Sequence, residues 1–142
     1  MADVDPRTSS HELRVRFFET DLMAIVHHAA YLTYFEVGRV EWLRARGVTY
    51  ADWAARGVHL PVVEANVRYA LPARFDDLLT VVTTLADLRT VSLRFEYVLR
   101  RGDEQLATGW TRLGCVDDRG KIYKIPPEMR DVMLGGETRA AG

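Results

Sequence analysis

Residues 28 to 46 read His-Ala-Ala-Tyr-Leu-Thr-Tyr-Phe-Glu-Val-Gly-Arg-Val-Glu-Trp-Leu-Arg-Ala-Arg. They contain no proline and stop at Gly47, the pattern of one long helix closed by a glycine. Its first half is apolar over much of its circumference, because Ala29, Ala30, Tyr31, Leu32, Tyr34, Phe35 and Val37 cannot share one stripe. Such a helix must be surrounded, and this requirement constrains the remainder of the chain.

The flanking segments supply strands. In residues 12 to 18 Leu13, Val15 and Phe17 alternate with Arg14 and Arg16, the period-two pattern of a half-buried strand. After the helix comes a shorter helical stretch over residues 49 to 56, ended by Gly57. Residues 60 to 116 read as strands, with Leu78, Val82 and Leu85 in one, Leu93, Phe95, Tyr97 and Leu99 in the next, and residues 106 to 116 in another. Arg101-Gly102-Asp103-Glu104 and Asp118-Arg119-Gly120-Lys121 have tight-turn chemistry, so neighbouring strands pair antiparallel. Pro126 and Pro127 open a short terminal helix. The simplest packing is an α+β architecture in which an antiparallel sheet of about five strands wraps one long central helix.

The chain's 142 residues, 48% of them hydrophobic, suffice for one sizeable core, so a single domain over residues 1–142 is expected, with flexible ends at 1–10 and 135–142. The 19 Lys and Arg balance 20 Asp and Glu, which leaves no field to attract nucleic acid or an anionic membrane. The single Cys115 has no partner for an internal disulfide, and His11, His27, His28 and His59 show no zinc-site spacing, so no metal is expected. Residues 1 to 10 lack a signal peptide's basic start and apolar stretch, and no apolar run approaches the roughly 20 residues of a membrane span. The expected setting is the cytoplasm.

The chemistry concentrates in residues 17 to 28, Phe-Phe-Glu-Thr-Asp-Leu-Met-Ala-Ile-Val-His-His, which join the first strand to the long helix. Asp21 lies there among Leu22, Met23, Ile25 and Val26, and an acid in apolar surroundings is costly unless it is partnered or used. The first N–H groups of the following helix have no internal partner and carry the positive end of its dipole. A carboxylate beside free donors can serve acyl transfer, although Thr20 and Asp21 could equally be turn or cap residues.

Thr20-Asp21, Ile25-Val26, His28, Tyr31-Leu32, Phe35-Glu36 and Arg39 follow one another in an order and spacing that resemble the 4-hydroxybenzoyl-CoA thioesterase family of hotdog-fold acyl-CoA thioesterases. Its Tol-Pal-associated bacterial branch is the most similar. The resemblance continues through Tyr69, Pro72 and Asp76-Asp77 to Gly120-Lys121 and Ile125-Pro126. It implies hydrolysis of an acyl thioester, with Asp21 as nucleophile or general base, His28 assisting, and the N–H near His28 polarising the carbonyl. It also implies a homodimer with sites at the subunit interface, the pairing of dimers into tetramers being open, and it requires no cofactor. The chain departs from the motif at Glu19, where Asp is usual, at Ala24, where Gly is usual, and at His27, where an aromatic is usual. Relatives that bind CoA phosphates carry basic residues near Arg89-Thr90-Val91-Ser92, where this chain keeps only Arg89. Arg89 and Ser92 are therefore candidate contacts for the carrier, which is CoA or the phosphopantetheine arm of an acyl carrier protein.

Glu64 stands in an apolar context and shares a strand face with Asn66 and Arg68, so it is either a pocket acid or a salt-bridged strand residue. Tyr31, Tyr34, Phe35 and Trp42 read as core, and Tyr31 or Tyr34 can shape an acyl channel. Glu36 and Arg39, one turn apart, read as a structural ion pair, His27 as a packing or rim residue, and Asp76 and Asp77 as solvated turn residues. Two other functions fit a similar chain: a hydratase or dehydratase acting on an acyl thioester, and a non-catalytic module that binds one.

Overall fold

The computed structural model describes residues 5–135. Its elements are β1 (Thr8–Arg14), α1 (Ala30–Arg44), α2 (Tyr50–Ala55), β2 (Val62–Tyr69), β3 (Leu78–Leu88), β4 (Ser92–Arg101), β5 (Glu104–Gly114) and α3 (Pro127–Met133). The five strands form one sheet in the order β1-β3-β4-β5-β2, and each pairing is antiparallel. β1 and β2 are therefore the edges. Residues 1–4 and 136–142, where much of the expected flexibility falls, lie outside the described residues, whereas residues 8 to 10 are paired in β1 with Val82, Thr83 and Thr84.

The first strand lies earlier than residues 12 to 18. Arg14 pairs with Leu78, the first residue of β3, so the ladder ends there. Residues 17–19 then form a 3-10 turn, because the Glu19 carboxylate accepts the Arg16 backbone N–H at 2.8 Å and closes the chain on itself.

The expectation of one long enclosed helix needs correction. α1 has 15 residues rather than the expected 19, and α2 and α3 are shorter still, at 6 and 7. At its start a turn uses residues 27 to 29, with the Ala29 N–H donated to His27 Nδ1 at 3.1 Å and the Ala30 N–H to the His27 carbonyl at 2.9 Å. At its end the chain reverses at Gly47, whose φ of 88° lies in the region that favours glycine. Nor is α1 surrounded. Tyr31, Tyr34, Phe35, Gly38, Trp42 and Leu43 are buried, whereas Leu32, Thr33 and Glu36 face outward.

The buried side seats closely on the sheet. Phe35 stacks on Tyr97 with ring centroids 4.3 Å apart, and Trp42 meets Phe95 edge-on at 5.1 Å. Two glycines permit this approach: a Cβ on Gly109 of β5 would collide with Phe35, and one on Gly38 with Thr83 of β3. The inner face of the sheet supplies Leu79, Val81 and Leu85, Leu93, Phe95, Tyr97 and Leu99, then Leu113, all close to fully buried. β2 contributes least, since seven of its eight residues are exposed. No helix among the described residues is long and apolar enough to cross a membrane.

Candidate active site

Between β1 and α1 the chain forms a loop closed at its base. The Glu19 carbonyl accepts the His27 N–H at 2.8 Å, and Asp21 donates its N–H to the Ile25 carbonyl at 2.9 Å. Val26 extends the tie sideways by donating to the Ala73 carbonyl at 2.8 Å, which fastens this loop to the segment between β2 and β3. Inside the loop Asp21 Oδ1 accepts the Met23 N–H at 2.8 Å, and the Ala24 N–H reaches the Asp21 carbonyl at 2.9 Å. This tight turn holds Ala24 at a φ of 64°, in the left-handed region that favours glycine.

Loop and helix start share a pocket of about 410 Å³ lined by Asp21, Ile25, Val26, His28, Tyr31, Tyr69, Leu71 and Pro72, with Ala70 completing the wall. Asp21 and His28 are thus brought together, and Tyr31 lies between them and the core. The His28 backbone N–H has no acceptor among the described residues. Its imidazole stacks on that of His27, with centroids 4.2 Å apart. Leu22 and Met23 do not enclose Asp21 as their sequence proximity suggests: both project outward, and Asp21 is itself exposed in the single chain. Its apolar surroundings come instead from Ile25, Val26, Leu71 and Pro72.

Tyr69, at the end of β2, crosses to the helix start and donates its hydroxyl proton to the His28 carbonyl at 2.8 Å. Its ring meets Tyr31 edge-on at 4.9 Å, and Tyr31 in turn accepts the Ala73 N–H at 3.2 Å. Partial burial of the half-exposed ring, with Tyr31 adding to it, pushes the Tyr69 phenol up, so it stays a proton donor across the neutral range. The opposite wall is held from below. Arg101 Nη1 binds Asp77 Oδ2 at 2.7 Å and the Pro72 carbonyl at 3.2 Å, while Asp77 also accepts the Arg74 N–H at 2.8 Å. Asp77 is therefore a structural anchor and not the solvated turn residue its position suggested.

Glu64, Arg89 and Ser92 are not at this pocket in the single chain. Glu64 lies on β2 five residues from Tyr69, roughly 16 Å along a strand, and on the face opposite Val67 and Tyr69. Arg89 Nε pairs with Asp87 at 2.7 Å, and Ser92 Oγ is 3.5 Å from Arg112 Nη1. Arg89 lies in the β3–β4 turn and Ser92 opens β4, at the end of the sheet remote from Asp21. Glu36 and Arg39 form the expected helix pair, at 3.8 Å. His27 does more than pack, since its ring nitrogen accepts the Ala29 N–H in the turn that precedes α1.

Two participants went unassigned in the sequence. Tyr69 stands at a strand end before Ala70-Leu71-Pro72, and only its place in the motif drew notice. Glu19 reads as a departure from the motif, yet it is the one buried charged group among the described residues, 7% exposed, and takes four hydrogen bonds.

Residues 15–133 match the family model of the thioesterase-like superfamily. The acyl-CoA thioesterase YbgC of Haemophilus influenzae is 32% identical over 85% of this chain and 90% of its own length. The crystal structure of a hypothetical protein from Thermus thermophilus superposes with a TM-score of 0.84 at 38% identity, over 88% of this chain and 96% of that one. That of the DHNA-CoA thioesterase from Staphylococcus aureus does so with 0.85 at 27% identity, over 94% and 91%.

Proposed function

The chain belongs to the thioesterase-like superfamily and has its hotdog fold, and from that premise we propose that Asp21 and the His28 N–H form the site at which it hydrolyses acyl thioesters. The reaction adds water across the C–S bond of an acyl-CoA or acyl carrier protein thioester, releasing the free acid and the thiol. The observation that carries the site assignment is the pocket holding both a carboxylate and an N–H without an acceptor. Asp21 either attacks the carbonyl carbon, giving a mixed anhydride that water then opens, or draws a proton from the attacking water. In both routes negative charge gathers on the carbonyl oxygen, and the preorganised His28 N–H, in the turn that leads into α1, stabilises it. Tyr69, by holding the His28 carbonyl, fixes the direction of the adjoining amide.

The working unit in this reading is a homodimer formed through β2. That strand is an edge, it exposes Val62 and Val63, and its unpaired backbone groups need cover. Antiparallel pairing of β2 with a second copy reverses direction across the seam. The far end of that copy, where Ser92 pairs with Gly114 and Gly114 bonds Pro61, then comes toward the Tyr69 end of this chain. Glu64, Arg89 and Ser92 of the second copy would complete the pocket and receive the CoA or phosphopantetheine arm. The whole chain acts as one domain, in the cytoplasm, a setting that the lone buried Cys115 suits.

Thiol release from a panel of acyl-CoA compounds, followed with a thiol reagent, tests the activity. Release establishes hydrolysis. Conversion of an unsaturated acyl-CoA without thiol release would point to hydration, and tight binding without turnover to a binding module.

A further inference from the structure

We infer that Glu19 is a positioning residue for hydrolysis, its carboxylate fixing the separation of Asp21 from the His28 N–H. This rests on the reading of Asp21 given above. Glu19 Oε1 accepts the Arg16 backbone N–H at 2.8 Å and the Tyr34 hydroxyl at 2.9 Å. Oε2 accepts Arg16 Nε at 3.1 Å and Nη2 at 2.9 Å. A turn cap needs only the first of these bonds, and it needs no burial. A carboxylate removed from water is costly unless its lone pairs are filled, and here α1 reaches down to fill one.

The geometry gives that bond a consequence beyond stability. Tyr34 lies one turn into α1, so the Glu19–Tyr34 bond ties the base of the loop to the body of the helix. The same residue's carbonyl holds the His27 N–H at 2.8 Å. Asp21 follows Glu19 by two residues, and His28 follows His27 by one. Both reacting groups are thus referred to a single residue, and freeing its carboxylate loosens the frame that sets their separation. Burial, reinforced by Glu19, holds the Tyr34 phenol well above its ordinary value, which keeps it a donor at every working pH. Misplacing a reacting group by about 1 Å can cost on the order of 100-fold in rate.

Glu19→Gln keeps the size but points an amide donor at donors, and Tyr34→Phe deletes only the helix bond. The test measures kcat and KM for both, for their double variant and for Asp21→Asn, at a temperature where thermal denaturation shows each folded. Glu19→Gln should lower kcat about 10-fold or more with KM within about twofold, and Tyr34→Phe about threefold. The double variant should be no slower than Glu19→Gln, since both changes break one clamp. A kcat within about twofold of wild type in folded Glu19→Gln, or multiplicative losses in the double variant, would overturn the inference. Should Glu19→Gln not fold, Tyr34→Phe decides alone, and an unchanged kcat overturns it. Asp21→Asn separates the two levels. Its inactivity beside a normal Glu19→Gln refutes only the clamp, whereas its full activity refutes the reading on which the clamp depends.

Discussion

The Tyr69 hydroxyl donates to the His28 carbonyl at 2.8 Å, which links the last residue of the edge strand β2 to the start of α1. Removing the donor leaves that carbonyl to water and frees the peptide whose neighbour is the proposed oxyanion donor. Tyr69→Phe should therefore cost about 0.5–1.5 kcal/mol in stability. It should lower kcat several-fold with little change in KM, as steady-state kinetics would register. A raised KM at constant kcat would instead mean that the hydroxyl contacts bound substrate uniformly.

Ala24 occupies the left-handed region at φ 64° with no glycine to ease it. The strain is about 1–2 kcal/mol, and glycine returns roughly 0.5–1 kcal/mol of it as entropy in the unfolded chain. Ala24→Gly should accordingly raise stability by up to about 1 kcal/mol, some 2–4 °C in Tm. Differential scanning calorimetry decides, and a lowered Tm would show that the Ala24 methyl makes contacts worth more than the strain.

Tyr34 gives the fold an alkaline limit. Burial first, and then its bond to Glu19 and that residue's charge, raise its phenol in the folded state above the unfolded value of 10.0. Above about pH 10 the unfolded chain loses this proton and the folded chain keeps it, so stability falls as pH rises. Below that pH both states hold the proton and the contribution is constant. Chemical denaturation across pH 9 to 11.5 should show wild type losing stability more steeply than Tyr34→Phe. Equal slopes would exclude Tyr34 as the group responsible.

The sequence carried the order of elements well, because strand alternation and turn glycines are local. Residues 93 to 99 alternate, and Leu93, Phe95, Tyr97 and Leu99 all turn inward. All-round apolarity in residues 29 to 37 implies full enclosure of α1, whereas Leu32 lies on a side the single chain leaves open. The strand over residues 12 to 18 was misplaced for a related reason: alternation continues through Phe17, but the Glu19 cap ends the strand before it. At the site, Asp21, His28 and Tyr31 were legible because they crowd one short segment. Tyr69, Asp77 and Arg101 are not, because their roles arise from contacts across 41 and 24 residues that no spacing rule encodes. Glu19 was legible only as a letter out of place, and its burial by Tyr34 needed the fold.

The most direct test of the account is the rate of thiol release by Asp21→Asn at saturating acyl-CoA, compared with wild type at the same pH. The amide is isosteric and can still accept the Met23 N–H, so fold and binding should persist while nucleophile and base are both lost. The variant's kcat should fall by about 10² to 10⁴ with KM little changed. A rate within a few-fold of wild type would contradict it, because hydrolysis would then proceed without the carboxylate that the pocket sets beside the His28 N–H.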